Sequence, residues 1–320
     1  MDKIALRPAR PDDLEAVCAL LNRAEQHDGL PRVMLIDEFR ENLDQPYIDL
    51  SADARVALRG DTMAGFQYVW NPLVESGDDR AYLFGEVDPD HRGYGVGREL
   101  LTWGIERATE RLRSHQHGLP RFIRVDAFEW IDANHRLYER LGFERVRWFD
   151  ELVRPLTDLP VVPAIAEVEL LPWPDNRDEE IRQVRNAAFA DHWGTSPMPA
   201  SSWHAAVRGH GARPDLSVVA VDRASGGVVA CCINHAYPED DELTGRQEAW
   251  VHNLGTVQRW RGHGLASAMI AWSLAAFAGH GFSHAMIGVD AESPTGAARL
   301  YRHLGFTSER RSITHQIEVR

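Results

Sequence analysis

One stretch of this chain occurs twice, and each copy couples a strand to a glycine turn and a helix. The first copy is Val87–Leu101, V-D-P-D-H-R-G-Y-G-V-G-R-E-L-L, and the second is Thr256–Ile270, T-V-Q-R-W-R-G-H-G-L-A-S-A-M-I. After the first turn, Val96, Leu100, Leu101, Ile105 and Ala108 recur at steps that line one helix face. After the second, Leu265, Met269, Ile270, Trp272 and Phe277 lie in a nearly all-apolar segment, which predicts a buried helix. The turns themselves share R-G-x-G-x-small: Arg92-Gly93-Tyr94-Gly95-Val96-Gly97 and Arg261-Gly262-His263-Gly264-Leu265-Ala266. Glycines let successive backbone N–H groups point one way. The helix that follows adds its unpaired N–H groups and positive dipole end. With an arginine at the start, the combination is suited to a pyrophosphate.

A plain strand–turn–helix corner would use such glycines for geometry alone. A Rossmann turn fits poorly: Gly97 comes one residue early for G-x-G-x-x-G, and the second copy lacks that glycine. A P-loop is excluded, because no Lys-Ser or Lys-Thr follows. The recurrence decides for a functional turn, because the surroundings repeat as well. The turn arginines are offset by 261 − 92 = 169, and Val125-Asp126-Ala127 matches Val289-Asp290-Ala291 at 289 − 125 = 164. Leu137–Phe143 matches Leu300–Phe306 in L-Y-x-x-L-G-F at 301 − 138 = 163. Two copies of one domain of roughly 150–160 residues account for the chain. The expected division is 1–156 and 166–320, with 157–165 as linker inside the proline-rich run P-L-T-D-L-P-V-V-P (Pro155–Pro163).

These motifs resemble the GNAT acetyltransferase superfamily, whose acyl-CoA motif is Q/R-x-x-G-x-G/A and whose second signature is similar to L-Y-x-x-L-G-F. Both halves carry both elements, so the resemblance covers nearly the whole chain. It implies an α/β fold of two tandem GNAT-type domains, each a mixed, mostly antiparallel central sheet flanked by helices. As a tandem it is similar to actinobacterial two-domain proteins of the superfamily, of which mycothiol synthase is the best-known type. Arg185–His192 also resembles the first helix of the second half in such proteins. The implied function is direct N-acetylation of a small amine with acetyl-CoA as cosubstrate. A mycothiol-synthase-like acceptor and a non-catalytic acyl-CoA-binding regulator are the alternatives.

Composition bounds the partners. The 320 residues carry a formal net charge of −13, which argues against a general nucleic-acid binder. The negative field attracts a cationic or amine-bearing substrate. Cys18, Cys231 and Cys232 form no C-x-x-C pair and read as reduced, buried thiols of a cytoplasmic protein. Cys231 and Cys232 adjoin in a strand and should face opposite ways. The start has no apolar signal core, the longest apolar run (Leu265–Ala278) is too short for a membrane, and no metal site is expected. Monomer and homodimer both remain open.

The coarse order is the same in each half. The first half reads as a strand at Ile4–Pro8, a helix capped by Asp12 or Asp13 and running to about Ala24, and an amphipathic stretch at Leu35–Leu43. Strands follow at Val56–Leu58, Ala64–Trp70 and Tyr82–Val87, then Phe122–Ala127, a helix at Asp132–Leu141 and a closing strand at Glu144–Arg154. The second half reads as Val168–Leu171, a helix at Asp178–Ala190, a helix capped by Ser201 or Ser202, and strands at Ser217–Asp222 and Val228–Asn234. After the acidic loop 236–247 come strands at Glu248–Leu254 and His284–Ala291, a helix at Pro294–Leu304 and a last strand at Ile313–Val319.

Acetyl transfer from a thioester to an amine needs a polarised carbonyl, a neutral amine and a proton for the leaving thiolate. The resemblance implies that the strand before each turn splays from its neighbour and receives the pantetheine arm on its backbone. That role falls on Glu86, Val87 and Asp88 in the first half, and on Gly255, Thr256 and Val257 in the second. Arg92, Gly93, Tyr94, Gly95, Val96 and Gly97 would hold the pyrophosphate, as would Arg261, Gly262, His263, Gly264, Leu265 and Ala266. The superfamily often has an asparagine for the pantetheine arm; the first half offers Asn134, closer to its tyrosine than is usual there, and the second half has Ser293-Pro294. The signature tyrosines, Tyr138 and Tyr301, are the implied proton donors. Candidate bases are Glu86 in the first half, and Glu248 and His252 in the second. Mycothiol synthase carries a glutamate where this chain has Trp250, a departure that counts against its substrate. His192, Trp193 and Trp203 lie where acceptor loops are built. By analogy with the tandem type, catalysis is expected in the second half, with the first a structural or regulatory CoA-binding copy.

Overall fold

The computed structural model describes residues 3–45, 47–72, 74, 76–293 and 296–320. The first half runs β1 (Ile4–Pro8), α1 (Leu14–His27), α2 (Ile36–Leu43), α3 (Leu50–Asp53), β2 (Ala54–Arg59), β3 (Thr62–Trp70), β4 (Asp79–Val87), α4 (Val96–Ser114), β5 (Arg121–Phe128), α5 (Asp132–Arg140) and β6 (Glu144–Pro155). The second runs β7 (Val168–Pro172), α6 (Asp178–Ala188), α7 (Ala200–Arg208), β8 (Val218–Asp222), β9 (Val228–Ala236), α8 (Asp241–Thr244), β10 (Glu248–Thr256), α9 (Leu265–Gly279), β11 (His284–Asp290), α10 (Ala297–His303) and β12 (Thr307–Glu318). Pro294, in the segment expected to open the last helix, lies outside the described residues.

The chain forms two compact units, Met1–Arg147 with Ser312–Arg320, and Trp148–Arg311. This spatial division departs from the linear one at 157–165. In the first unit the sheet order is β1-β2-β3-β4-β5-β12, with Ser312–Glu318 antiparallel to Phe122–Phe128. In the second it is β6-β11-β10-β9-β8-β7, with Phe149–Pro155 antiparallel to His284–Asp290. Each unit therefore takes its last strand from the other half of the sequence, and residues 157–165 belong to the second unit. The repeats offer equivalent closing strands, so strand pattern alone leaves the partner open.

In each unit one pair is parallel, β4 with β5 and β10 with β11, joined through α4 and α9. A parallel pair needs such a crossover helix. α4 buries Val96, Leu100, Leu101, Ala108 and Leu112. The apolar helix α9 buries Leu265, Met269, Ile270 and Phe277 against β8, β9 and β11. Cys231 and Cys232 are buried in different clusters, on opposite faces of β9, and all three cysteines are free.

Two caps differ from expectation. Asp13 bonds Arg7 and the backbone N–H of Arg10 instead of capping α1 with its side chain. Ser201 and Ser202 lie inside α7, whose cap position is Pro199.

Candidate active site

The parallel pairs open into the clefts that matter. β4 and β5 stay in register from Asp79↔Arg121 to Tyr82↔Arg124, and no pairing follows although both strands continue. β10 and β11 part in the same way after Val251↔Ile287. A splayed pair leaves backbone N–H and C=O groups on β4 and β10 without their ladder partners, ready for an amide-bearing chain. Each gap leads to its glycine turn. Gly95 and Gly264 sit at the cap positions of α4 and α9 with φ of +92° and +81°, a left-handed conformation that favours glycine. Neither has a side chain to cap the helix, so the first N–H groups stay available for an anion.

The first cavity, about 610 Å³, is lined by Glu86, Val87, Arg92, Gly93, Gly95, Val96, Gly97, Asn134 and Tyr138. Arg98, Arg136 and Arg140 add a basic rim that sequence reasoning missed. The signal was present: Arg136 and Arg140 are four apart on α5 and share a face. The second cavity, about 390 Å³, is lined by His192, Trp193, His252, Gly255, Thr256, Arg261, Gly262, Gly264, Leu265, Ala266 and Tyr301.

Not every expected residue reaches a cavity. Asp88 is buried, pairs with Arg23 at 2.5 Å and caps Asp90 N–H. Tyr94 lies outside, its ring 3.6 Å from the Arg59 guanidinium carbon. His263 packs on Trp260, and Val257 packs into the second unit's cores. Trp203 stacks on Trp173 within a core. The turn arginines are also less free than the motif suggests. Arg92 donates to Asp28 at 2.5 and 2.9 Å and to Val87 O at 3.2 Å. Arg261 donates to Asp191 at 2.5 and 2.8 Å and to Ala188 O at 2.8 Å. Both brace their turns against the end of the first helix, so neither guanidinium is free of partners within the protein.

The ionisable groups differ sharply between cavities. Glu86 stands at the mouth of the first gap, with Arg92 Nη2 at 3.7 Å. Depth in the cleft raises its pKa to about 7, Arg92 draws it down, and Asp28 and Glu25 push it up. Tyr138 faces the same cavity and is held above its ordinary value by burial and by Glu86 and Asp126, so its hydroxyl stays protonated. That hydroxyl donates to Asp126 O at 3.4 Å.

In the second cavity Tyr301 is likewise raised by burial. His252 is open to the cleft and stacks on His235 with ring centroids 4.1 Å apart. The depth of the cleft, then His235 and Arg185, lower its pKa and keep it neutral. Glu248 does not line the cavity; it is buried and pairs with Arg246 at 2.6 Å. Counting from the turns, Glu86 corresponds to position 86 + 169 = 255, a glycine. A Cβ on Gly255 would lie 2.9 Å from Ala188 Cβ and 3.0 Å from the Phe189 ring, so no larger side chain fits there. Far from the cavity, at the start of β4, Asp79, His115 and His117 bring three possible metal-ligand atoms within 4.8 Å of one another. No motif in the sequence pointed to this cluster.

Comparison with known proteins places both halves in one family. The acetyltransferase (GNAT) family matches residues 178–306, and an acetyltransferase (GNAT) domain matches 54–145. The chain is a tandem GNAT acetyltransferase. It is 30% identical over 308 residues to a mycothiol acetyltransferase of Thermobispora bispora, covering 93% of each chain. It is 28% identical to one of Streptomyces coelicolor, over 97% of this chain and 93% of that one. In fold it is similar to a GCN5-related N-acetyltransferase from Sphaerobacter thermophilus, with a TM-score of 0.77, 24% identity, and 100% of this chain and 97% of that chain covered. A tandem GNAT protein from the clavulanic acid biosynthesis pathway gives 0.72 at 18% identity and 99% of each chain. No helix among the described residues of this acetyltransferase is long and apolar enough to cross a membrane.

Proposed function

We propose that the protein transfers acetyl from acetyl-CoA to the nitrogen of a small amine, and that the first unit carries the chemistry. The observation behind this is the contrast between Glu86 and Gly255. One repeat has a carboxyl group of pKa about 7 at the mouth of the splay, and the other has a glycine packed shut by Phe189. A base works best with a pKa near the operating pH. A neutral His252 of lowered pKa is a poorer acceptor for an ammonium proton.

In this reading the pyrophosphate lies on the α4 N-terminus, with Arg98, Arg136 and Arg140 at the rim, and the thioester arm follows the unpaired backbone of β4. Glu86 takes the proton from the acceptor's ammonium. The amine nitrogen then bonds to the acetyl carbon, the C–S bond breaks, and Tyr138 protonates the departing thiolate. The tyrosinate is reprotonated by the proton that the new amide gives up. The second unit keeps a glycine turn and Tyr301 but has Gly255, not a carboxylate, at the position of Glu86; the carboxylates that line its cavity are Asp191 and Asp290. It is proposed as a second CoA-binding copy, a reversal of the expectation drawn from the tandem type.

Acetyl-CoA titration and thiol release, measured on wild type, Gly95→Glu and Gly264→Glu, test this. A glutamate at either turn blocks the pyrophosphate by bulk and charge. Turnover lost in Gly95→Glu and kept in Gly264→Glu is the expected result. The converse would move catalysis to the second unit, and no acetyl-CoA binding by wild type would end the proposal.

A further inference from the structure

The cofactor cavity takes up one face of the first unit's sheet; the other face carries a row of rings that the transfer reading leaves unused. Successive residues of β4 alternate between faces. Leu83 packs with Leu101, Ala108 and Leu112 of α4, and Leu83, Gly85 and Val87 line the cofactor cavity. Tyr82 and Phe84 are absent from that lining and belong to the other face, while Glu86, in step with them along the strand, also lines the cavity. Their partners on β3 are Trp70, Tyr68 and Phe66. The rings form one continuous row. Phe84 lies 5.4 Å from Tyr68 and 5.9 Å from Tyr82, both nearly parallel, and Tyr82 lies 5.5 Å from Trp70.

Helices α1 and α2 pack on this face over β2 and β3, where Phe39 packs edge-on against Phe66 at 5.7 Å. α1 also reaches β4, yet it leaves Phe84 40% exposed. Beyond the gap, Phe128 and Trp130 pack at 4.9 Å, and Trp130 Nε1 donates to Asp28 O at 2.9 Å, linking the end of β5 to the end of α1.

The charges beside the row are arranged for a cation. Glu25 pairs with Arg32 and Asp28 with Arg92, so these four compensate one another. Glu86 shares Arg92 only at 3.7 Å and supplies the remaining negative charge, two residues along β4 from Phe84. An apolar floor that ends in a carboxylate fits an amine with a flat apolar body. Aromatic rings favour edge-to-face or offset contact with another ring. The second unit does not repeat these residues: the positions of Tyr82, Phe84 and Glu86 are Val251, Asn253 and Gly255 by the same offset of 169.

We propose that this face is the acceptor site, and that the acceptor is an amine bearing an aryl or similarly flat apolar group. The proposal rests on the transfer reading above. Cofactor and acceptor then approach Glu86 from opposite faces of the sheet, which keeps the bulk of each clear of the other. The floor of ring carbon selects against a hydroxyl-rich amine, which would have to give up its water without replacement hydrogen bonds.

The test compares kcat/KM for 2-phenylethylamine, n-propylamine and glucosamine by thiol release, in wild type, Phe84→Ser and Phe84→Tyr. Calorimetric binding of 2-phenylethylamine is measured alongside. Wild type should favour 2-phenylethylamine over n-propylamine by about ten- to thirtyfold, the usual worth of burying a ring. That ratio should collapse in Phe84→Ser and survive in Phe84→Tyr, which also controls for folding. Equal use of the three amines, a preference for glucosamine, or a ratio untouched in Phe84→Ser overturns the aryl site while leaving acetyl transfer intact. Binding of 2-phenylethylamine that is lost in Phe84→Ser, with no amine acetylated, retains the site and discards the transfer reading.

Discussion

Replacing Glu86 with Gln should harm activity and help stability, and the two effects share one cause. The carboxyl keeps its proton to about pH 7 in the folded protein, against 4.5 in an ordinary setting. Between those values the folded state binds more protons than the unfolded one, so stability declines as pH rises through the window and stays lower above it. A rise from 4.5 to about 7, at 1.36 kcal/mol per pH unit, sets an upper limit of about 3 kcal/mol. The side chain is 27% exposed, and solvent screening brings the expectation to about 1 kcal/mol. Glutamine has nearly the same shape and no charge to desolvate. Thermal melts should therefore coincide at pH 4.5 and separate by pH 8, the variant melting higher by a few degrees. Thiol release at pH 8 should fall by about 10²- to 10⁴-fold, and the acid limb of kcat/KM near pH 7 should vanish. A variant that melts lower than wild type at pH 8, or that keeps both its rate and its acid limb, would refute the assignment of Glu86.

Tyr138→Phe removes one hydroxyl from the same cavity and should lower kcat by about 10²-fold or more while the acetyl-CoA Kd, read by calorimetry, moves less than about twofold. Arg92→Ala strands the buried Asp28 carboxylate and should cost about 1–3 kcal/mol in urea unfolding; adding Asp28→Ala should recover part of it in a double-mutant cycle. Gly255→Ala places a methyl group 2.9 Å from Ala188 Cβ and should destabilise the chain by about 1–3 kcal/mol in the same assay.

Much of this architecture is legible in local patterns. The paired glycine turns, the helix faces of α4 and α9, and the opposed Cys231 and Cys232 each follow from periodicity over a few residues. Their positions in the fold agree with the sequence because local geometry and burial demand the same thing. What escapes is long-range. The partners of Arg92 and Arg261 lie 64 and 70 residues away, so nothing near the turns reveals that both guanidiniums are engaged. Glu248 and Glu86 look alike as strand carboxylates. Only their places along the parallel ladder separate them: Glu248 is in the first of the four β10 pairs, and Glu86 lies past the last pair of β4. The aromatic row is likewise invisible until β3 and β4 are in register, since Tyr68 and Phe84 approach only through cross-strand pairing.

The exchanged closing strands bear on what happens when the backbone is cut. Val161, 90% exposed within the proline-rich run, is an open point for a protease. A nick there separates 1–160 from 161–320 in covalent terms only. The first fragment still supplies Phe149–Pro155 to β11, and the second still supplies Ser312–Glu318 to β5. Two bands on a denaturing gel should therefore elute as one particle under native conditions. A gene encoding either half alone would separate each sheet from the strand it takes from the other half. The second unit is thus held in the molecule by topology, whatever becomes of its chemistry.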